Sequence, residues 1–494
     1  MGEKAFMNKF LKLVGYDESK ETSVRTELIA GVVTFLAMAY ILTVNPNQIV
    51  GPDSPYWASV FIATALGAVI GTLLMAFLAK MPLAQASGMG LNSMLGGIIG
   101  GAGAYGADFT PGQAFMLVLI SGFAFLLLSF IKVKGKTIRE YVFDGMPVAV
   151  RSSISVGIGL FIAFIGFQNA KVIGDDQFVL VSLIDFTKFN IDTANAIVCL
   201  VGLFIIAVLD KLNVKGSIII GVLSAALLGI PLGVTDLSIL AGNGAVSWKF
   251  WENFANFFAG ENTVFLSFTS VFKDGLIPNG VSVLTVVMLL ITMCMMDMFD
   301  TMGTIVGCCS GNRILSDEND KPHNYGKIML SDAIATCTGA VLGTSTVTTF
   351  VESGAGVSAG GRTGLTAFST ASMFFLSMFA LPVFAAIPSA AAASALVYVG
   401  VLMMKNNAKS IDFSNSINSA SAFLTVSFMV LSYSITKGIG VGMVSYTIMS
   451  LVAYLVELVK YAITKKDKPE FKVSVVAIIV SLLFCVYFFV PAVM

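Results

Sequence analysis

Two carboxylates, Asp297 and Asp300, lie inside a long apolar run of the sequence with no basic residue near them. A helix turns by about 100° per residue, so Asp297, Asp300 and Thr304 share one face of it. A charge inside a membrane is costly and is retained mainly for function. Repulsion between the two acids and desolvation both disfavour the charged form, which suits one of them to bind and release a proton. The alternative is that the helix ends early and water solvates both acids.

A third carboxylate, Glu352, lies in the apolar segment 344–365, which is rich in Ser, Thr and Gly. Non-helical backbone at membrane depth is tolerated only where it lines a protein cavity, and there its polar groups can face a ligand. A Glu in this position can accept hydrogen bonds from neighbouring ring N–H groups of a planar, amide-like ligand. The alternative is that Glu352 caps a half-helix that begins near Ser353.

A second interrupted segment, 83–102, has the same composition and contains Gly90 and Asn92. Asn92 offers both a donor and an acceptor, and Gly90 lets the backbone approach a ligand closely. Two short, glycine-interrupted segments at matching places in two halves of a chain indicate the midplane site of a transporter. The sequence therefore predicts the midplane site of a transporter at these two segments.

The elements that position these residues are predicted to be membrane-spanning helices. Hydrophobic residues make up 56% of the 494 residues, and charged residues make up 12%, about half the roughly 25% of a soluble domain. Lys and Arg number 29, as do Asp and Glu, so no basic excess exists to bind a nucleic acid. Runs that approach the 20 or so apolar residues needed to cross a bilayer lie near 27–44, 57–79, 112–131, 147–167, 193–210, 215–232, 279–299, 328–343, 366–386, 388–404, 418–436, 439–461 and 472–491. The last run is either a full span or an interfacial helix.

The distribution of basic residues indicates a cytoplasmic N-terminus. With that orientation, most Lys and Arg between the spans fall on the cytoplasmic side, as the positive-inside rule requires: Lys132, Lys134, Lys136, Arg139, Lys211, Lys215, Arg313, Lys321, Lys405, Lys409, Lys460, Lys465, Lys466 and Lys468. The segment 233–278 carries Trp248 and Trp251 and is predicted to be an extracytoplasmic loop. It contains either a helix at the membrane interface or only ordered loop.

A weak internal repeat divides the chain into two halves. Pro147, Ser153 and Gly159 recur at the same spacing 241 residues later, as Pro388, Ser394 and Gly400. The two interrupted segments are each third in their half. An odd number of spans in each half, seven here, would invert the second half relative to the first.

Other chemistries find little support. The six Cys form no CxxC pair and no cluster with His323, and no GxxxxGK[ST] motif is present, so neither a cofactor nor a metal is expected. The GxGxxG pattern at 101–106 follows a membrane segment rather than a strand. An intramembrane aspartyl protease would also use paired acids, but its GxGD motif is absent. The prediction is a transporter and not an enzyme.

Long stretches of the sequence resemble the purine permease branch (adenine, guanine, hypoxanthine) of the nucleobase–cation symporters, the xanthine/uracil permease superfamily. The resemblance runs nearly end to end and is carried by residues 25–46, 88–92, 299–304, 343–353 and 359–367. One departure is Ser87, where the family is expected to carry Pro. This departure affects only the expected backbone conformation around Ser87.

The resemblance implies an all-α fold of about fourteen transmembrane segments in two inverted seven-span repeats. These form a core domain and a gate domain, and the gate often forms a homodimer. The third and tenth spans are each broken by a short strand beside a half-helix, and the base binds between these strands and the eighth span. The family's binding residues fall on Asp300, Glu352, Gly90 and Asn92, and Phe350 takes the position of an aromatic ring that stacks on the base.

The resulting hypothesis is proton-coupled import of a purine base by an elevator-like movement of the core. Asp300 carries the proton, with Asp297 as the second candidate, and Thr304 completes the binding face. An anion exchanger or channel of related fold is the alternative, but it would favour a basic or neutral site. The expected location is the plasma membrane of a prokaryote. The predicted divisions are 1–26 (cytoplasmic segment), 27–232 (first repeat), 233–278 (loop), 279–461 (second repeat) and 462–494 (basic loop and apolar segment).

Overall fold

The computed structural model describes residues 2–17, 22–52, 54–99, 109–133, 136–137, 141, 145–176, 180–241, 247–258, 265–278, 281–309, 314–316, 322–465, 470–471 and 473–489. Part of the predicted charge asymmetry lies outside these residues, namely Lys134, Arg139, Arg313, Lys321, Lys466 and Lys468. The GxGxxG pattern at 101–106 also lies outside them.

Helices make up most of the described chain. In the first half they are α1 (Gly2–Leu13), α2 (Val24–Met38), α3 (Ile41–Ile49), α4 (Trp57–Leu74), α5 (Met89–Ile99), α6 (Pro111–Phe130), α7 (Val148–Asn169), α8 (Ile191–Lys211) and α9 (Ser217–Gly229). In the second half they are α10 (Phe250–Phe258), α11 (Leu266–Asp274), α12 (Val283–Cys309), α13 (Tyr325–Leu342), α14 (Ser353–Ser358), α15 (Gly364–Ser377), α16 (Leu381–Ala385), α17 (Ser389–Asn407), α18 (Ser416–Leu431), α19 (Ile435–Thr464) and α20 (Val475–Phe489).

Six short strands in the described residues form three antiparallel pairs. The strands are β1 (Gln85–Ser87), β2 (Lys132–Val133), β3 (Lys136–Thr137), β4 (Ile173–Asp176), β5 (Leu180–Leu183) and β6 (Val347–Thr349). Neighbouring strands along the chain pair as β2–β3 and β4–β5, whereas β1 pairs with β6 from the other half of the sequence.

Seven helical stretches within the described ranges are long and apolar enough to cross a membrane. They are 24–49, 57–79, 111–130, 148–169, 191–211, 364–385 and 435–464, and shorter apolar helices accompany them. These helices are characteristic of a multi-pass membrane protein. The segment 233–278 does contain two short helices, α10 and α11, and Trp251 on α10 is 75% exposed; its location at an interface stays a prediction.

The pairing of β1 with β6 brings the two interrupted segments together inside the molecule. Gln85 pairs with Thr349, Ala86 with Thr348 and Ser87 with Val347, and all six residues are buried. The pairing continues beyond the strands, because Gly88 N–H donates to the Thr346 carbonyl at 2.9 Å and Phe350 N–H donates to the Ala84 carbonyl at 3.0 Å. Each strand is followed by a short helix, α5 or α14. Neither segment is a continuous helix.

Helices α7 and α17, which carry the repeated Pro-Ser-Gly pattern, pack against each other through its glycines. A Cβ on Gly159 would lie 2.8 Å from the Gly400 carbonyl oxygen, and a Cβ on Gly400 would clash with the Gly159 carbonyl oxygen. The two serines also match, since Ser153 donates to the Val150 carbonyl and Ser394 to the Ala391 carbonyl. Small residues allow this close backbone approach.

Gly400→Ala should therefore destabilise the protein. The added methyl group forces α7 and α17 apart, and overpacking of this kind costs about 1–3 kcal/mol. The measurement is the midpoint of thermal unfolding of the purified protein in detergent. Gly97→Ala on α5 is the matched control, because a Cβ there would meet no atom within 4 Å. Equal midpoints for the two variants would contradict the close packing.

The C-terminal helix α20 packs on α19. Phe484 contacts Gly440, and the hydroxyls of Thr447 and Ser481 lie 2.7 Å apart. The helix has 15 residues, which corresponds to about 22 Å, less than the roughly 30 Å of a hydrocarbon core. The described helix is therefore shorter than the hydrocarbon core, and whether the segment is a full span or an interfacial helix stays a prediction.

Candidate functional site

A cavity of about 490 Å³ opens beside the crossing of β1 and β6. Its lining comes from both halves of the chain and includes the junction of α2 and α3, the start of α5, α12, the end of β6 with α14, and α17. The lining residues are Tyr40, Met89, Gly90, Ser155, Asp300, Thr304, Cys308, Thr349, Phe350, Val351, Glu352, Gly354, Ser358, Val399, Met403, Lys405, Asn407 and Lys409. Five of the predicted site residues are therefore in one cavity: Gly90, Asp300, Thr304, Phe350 and Glu352.

Glu352 lies immediately before α14 and is 7% exposed. Its side chain makes no capping hydrogen bond to that helix. Instead, its Oε1 atom accepts a 2.6 Å hydrogen bond from the Tyr40 hydroxyl. A carboxylate has further lone pairs, so Glu352 can still accept hydrogen bonds from a ligand in the cavity. The capping alternative accounts for its position in the chain but not for the orientation of its side chain.

Tyr40 is a site residue that was not identified from the sequence. It is 1% exposed and lies between α2 and α3, where its ring is surrounded by the apolar core. A tyrosine in an apolar run is typical of packing, and nothing in its local sequence indicates that it meets Glu352. The available signal was its presence in the 25–46 stretch that carries the family resemblance.

On α12, the cavity is lined by Asp300, Thr304 and Cys308, which follow each other at four-residue spacing. Asp300 is half-buried. Asp297 is 2% exposed and is not among the lining residues; its Oδ2 atom accepts from the Thr336 hydroxyl of α13 at 3.3 Å. The predicted shared face is thus divided, because Asp300 and Thr304 line the cavity whereas Asp297 bonds to Thr336 of α13.

Asn92 differs from its predicted place. It is fully buried behind the cavity, where its Oδ1 atom accepts from the Ser345 hydroxyl and its amide lies 3.5 Å from the Ser87 carbonyl oxygen. In this arrangement the side chain joins α5 to the strand crossing and does not line the cavity. Gly90 does line it, and a Cβ there would lie 3.1 Å from both Ile158 and Met296. A larger residue at Gly90 would therefore crowd the cavity wall.

Phe350 is held in the cavity wall by the extended strand pairing. Its backbone N–H donates to Ala84, and its side chain is 6% exposed. The residue lies two positions before Glu352, at the point where β6 gives way to α14. A ring fixed there can stack on a planar ligand whose edge reaches Glu352.

A polar network behind the strands fixes their position. Asp332 of α13 is fully buried, and its Oδ1 atom accepts from Thr301 Oγ1 at 2.8 Å and from Gln85 Nε2 at 3.2 Å. These contacts join α12, α13 and β1. Asp332 was also missed at the level of sequence, although a single carboxylate within the apolar run 328–343 was a visible signal.

A second buried carboxylate, Glu27 of α2, holds the start of α15. It accepts hydrogen bonds from the backbone N–H groups of Arg362, Thr363 and Thr366 at 3.0–3.3 Å and from the Thr366 hydroxyl at 2.5 Å. A negative charge at a helix N-terminus is favourable because the helix dipole is positive there. Arg362 donates through its guanidinium to the carbonyls of Val357 and Gly361, at the end of α14.

Glu27→Ala should destabilise the protein more than Glu27→Gln. Alanine leaves several buried N–H groups without an acceptor, and each such group costs about 1–3 kcal/mol. Glutamine keeps one acceptor oxygen. The measurement is thermal unfolding in detergent, with the glutamine variant expected between alanine and the unsubstituted protein. If both variants unfold at the same temperature as the unsubstituted protein, Glu27 does not hold this junction.

Comparison with known proteins agrees with this architecture. The model of the Permease family (Xan_ur_permease) matches residues 25–441. The guanine/hypoxanthine permease PbuO of Bacillus subtilis is 36% identical over 434 residues, covering 87% of this chain and 93% of the relative. The adenine permease AdeP of Escherichia coli is 34% identical over 430 residues, covering 87% and 88%. The putative permease MJ0326 of Methanocaldococcus jannaschii is 34% identical over 446 residues, covering 90% and 93%.

Solved structures support the fold alone. The transmembrane domain of the cyanobacterial bicarbonate transporter BicA superposes with a TM-score of 0.58 at 16% identity, covering 84% of this chain and 97% of that one. SLC26A9 superposes with a TM-score of 0.57 at 10% identity, covering 88% and 67%. The family resemblance inferred from the sequence is confirmed, as is the prediction that the protein is not an enzyme. The chain is a multi-pass membrane transporter that belongs to the permease family, in the branch that contains the guanine/hypoxanthine and adenine permeases.

Proposed function

We propose that the protein imports purine nucleobases (hypoxanthine, guanine or adenine) together with protons. The observation that carries the proposal is the cavity in which Glu352, Asp300 and Phe350 lie together beside the paired strands. A purine base is planar, and its edges carry ring N–H groups and acceptor atoms. Glu352 would accept from ring N–H groups, and Phe350 would stack on a ring face. The relatives named as guanine/hypoxanthine and adenine permeases support this substrate class.

The proton is proposed to bind Asp300. This residue lines the same cavity as Glu352, and two partly buried carboxylates in one cavity are unfavourable when both are charged. Binding of a proton to Asp300 would remove that repulsion and would also provide a donor for the base. Asp297 remains the second candidate for the proton, since it is buried on the same helix.

The transport cycle is proposed to be an elevator-like movement of a core domain against a gate domain. The proposed arrangement has fourteen spans in two inverted repeats, 27–232 and 279–461. The N-terminus is proposed to be cytoplasmic, and the protein is proposed to lie in the plasma membrane as a homodimer. The close contact of α7 with α17, whose Pro-Ser-Gly patterns match, supports a symmetric pairing within the gate. The antiparallel pairing of β1 with β6 supports the same symmetry within the core.

The test is uptake of radiolabelled hypoxanthine by cells that lack their own purine permeases. Uptake is measured with and without a protonophore, and with excess unlabelled guanine, adenine, xanthine or uracil. Saturable uptake that the protonophore abolishes, with competition by purines but not by uracil, is the expected result. Failure of the folded, membrane-inserted protein to take up or bind any purine would overturn the substrate assignment.

Anion transport is the second candidate, because BicA is a bicarbonate transporter and SLC26A9 an anion transporter of the same fold. The acidic residues Asp300 and Glu352 argue against an anion at the strand crossing. Labelled bicarbonate in the same uptake assay separates the two functions. Uptake of bicarbonate without uptake of hypoxanthine would favour the anion transporter.

A further inference from the structure

The cavity carries opposite charges at its two ends. Asp300 and Glu352 line its less exposed part, called the inner end, whereas the exposed residues Lys405 and Lys409 line its outer end. Both lysines are exposed and belong to the last turn of α17 and the short turn after it. A neutral base uses only the inner end, so the proposed function gives the two lysines no contact with the substrate, although they contribute to the predicted cytoplasmic excess of positive charge.

The cavity is also larger than a nucleobase requires. A volume of about 490 Å³ lies within the roughly 300–1,000 Å³ typical of sites for drug-sized ligands, and a two-ring base is smaller than such a ligand. Val399 lines the cavity beside Gly400, which packs on α7. At a rise of 1.5 Å per residue, Lys405 lies about 9 Å further along α17, and Lys409 lies in the short 3-10 turn that follows the helix. The cavity therefore has room for a ligand larger than a base.

The outer end of the cavity lies on the same side of the protein as the N-terminal segment. Ser358 at the end of α14 lines the cavity, and nearby residues later in the chain bond to the N-terminal segment. The Thr22 hydroxyl donates to the Gly360 carbonyl at 3.2 Å, and Gly364 N–H donates to the Val14 carbonyl at 3.1 Å. With a cytoplasmic N-terminus, the cavity therefore opens to the cytoplasm.

We propose that this cavity also binds a purine nucleoside monophosphate from the cytoplasm, with its base at Glu352 and its phosphate at Lys405 and Lys409. The inference rests on the proposed function, because it places the base in the same site. Asn407, between the lysines, donates its amide to the Met403 carbonyl and keeps its oxygen for a ribose hydroxyl. A nucleotide held in this way occupies the site without being carried. Import would then fall as nucleotides made from the imported base accumulate.

The phosphate contribution is modest in size and dependent on salt. Exposed ion pairs are individually weak, and we expect the two lysines together to raise the affinity for the phosphate about five- to tenfold, which is about 1–1.4 kcal/mol. Added salt screens exposed charges. It should therefore weaken nucleotide binding and leave binding of the neutral base nearly unchanged.

The test is displacement of labelled hypoxanthine by inosine 5′-monophosphate from the purified protein in phosphatidylcholine nanodiscs. Inosine and ribose 5-phosphate are the competitors that lack the phosphate or the base. The variant Lys405→Gln/Lys409→Gln is compared with Lys211→Gln/Lys215→Gln, which removes two exposed lysines that do not line the cavity. A parallel series in nanodiscs with anionic lipid distinguishes a phosphate on the nucleotide from one on a lipid headgroup.

We expect inosine 5′-monophosphate to displace hypoxanthine from the unsubstituted protein. Its affinity as a competitor should fall five- to tenfold in Lys405→Gln/Lys409→Gln but not in Lys211→Gln/Lys215→Gln. Hypoxanthine binding itself should be unchanged in both variants. If hypoxanthine binds and the monophosphate does not displace it, the nucleotide site is wrong while the proposed function stands. Equal displacement in both double variants would overturn the role of the lysines. Competition that appears only without anionic lipid would assign them to lipid headgroups instead. Absence of hypoxanthine binding would be a failure of the proposed function itself.

Discussion

Glu352→Gln should weaken purine binding by one to two orders of magnitude. The carboxylate offers acceptor lone pairs on two oxygens, one of which already accepts from Tyr40 at 2.6 Å. Glutamine keeps one oxygen and presents an amide NH₂ group to the ligand's N–H groups, where it repels them. A hydrogen bond to a charged group contributes about 1.5–3 kcal/mol, which corresponds to an affinity loss of about 10- to 150-fold. The measurement is equilibrium binding of labelled hypoxanthine to the purified protein.

Two variants serve as controls for this result. Glu457→Gln makes the same chemical change on the exposed surface of α19, away from the cavity, and should leave binding unchanged. Tyr40→Phe removes the donor to Glu352 but not the carboxylate, and should weaken binding by a smaller factor. If Glu352→Gln binds hypoxanthine as tightly as Glu457→Gln does, Glu352 does not contact the base.

The acids of the site could be identified from the sequence because each is a charge in an apolar surrounding. Asp297, Asp300 and Glu352 are conspicuous in this way whatever the fold. Which of them face the cavity was not predictable, since a helix face extends over several turns and neighbouring elements cover part of it. Asp300 and Asp297 are separated by less than one turn, yet only Asp300 lines the cavity.

The contacts that orient these acids could not be predicted, because they join residues that are far apart in the chain. Tyr40 meets Glu352 across 312 positions, and Gln85 meets Thr349 across 264. Nothing near Tyr40 distinguishes it from a packing tyrosine. Asn92 shows the opposite difficulty. Its polar side chain predicted a place in the site, but that side chain accepts a hydrogen bond from Ser345 behind the cavity.

The helices were largely predictable, because the hydrocarbon thickness sets their length. The sequence-predicted runs agree with the helices to within several residues at most ends, for example 57–79 with the stretch Trp57–Ala79. The interruption of two helices was predictable, because the segments concerned are rich in Gly, Ser and Thr. The strand register that pairs Ala86 with Thr348 was not predictable. A three-residue strand is too short to show a periodic pattern, and its partner is distant in the chain.

Asp300→Asn should convert concentrative uptake into exchange without accumulation. Asparagine has nearly the same shape and can still bond to the base, but it cannot take up or release a proton at physiological pH. In proteoliposomes, a pH gradient should no longer drive accumulation of labelled hypoxanthine above its external concentration. Counterflow, in which unlabelled hypoxanthine inside exchanges for labelled hypoxanthine outside, should persist because it needs no net proton movement.

Asp297→Asn is the decisive comparison, because it makes the same change three residues earlier on α12. Asp297 lies outside the cavity and accepts from Thr336, so a proton bound there cannot contact the base. If Asp300 carries the proton, Asp297→Asn keeps gradient-driven accumulation, because asparagine retains an oxygen that can accept from Thr336. The opposite pattern, accumulation in Asp300→Asn but not in Asp297→Asn, would assign coupling to the buried acid. Coupling would then act through the junction of α12 and α13 rather than through direct contact of proton and base in one cavity.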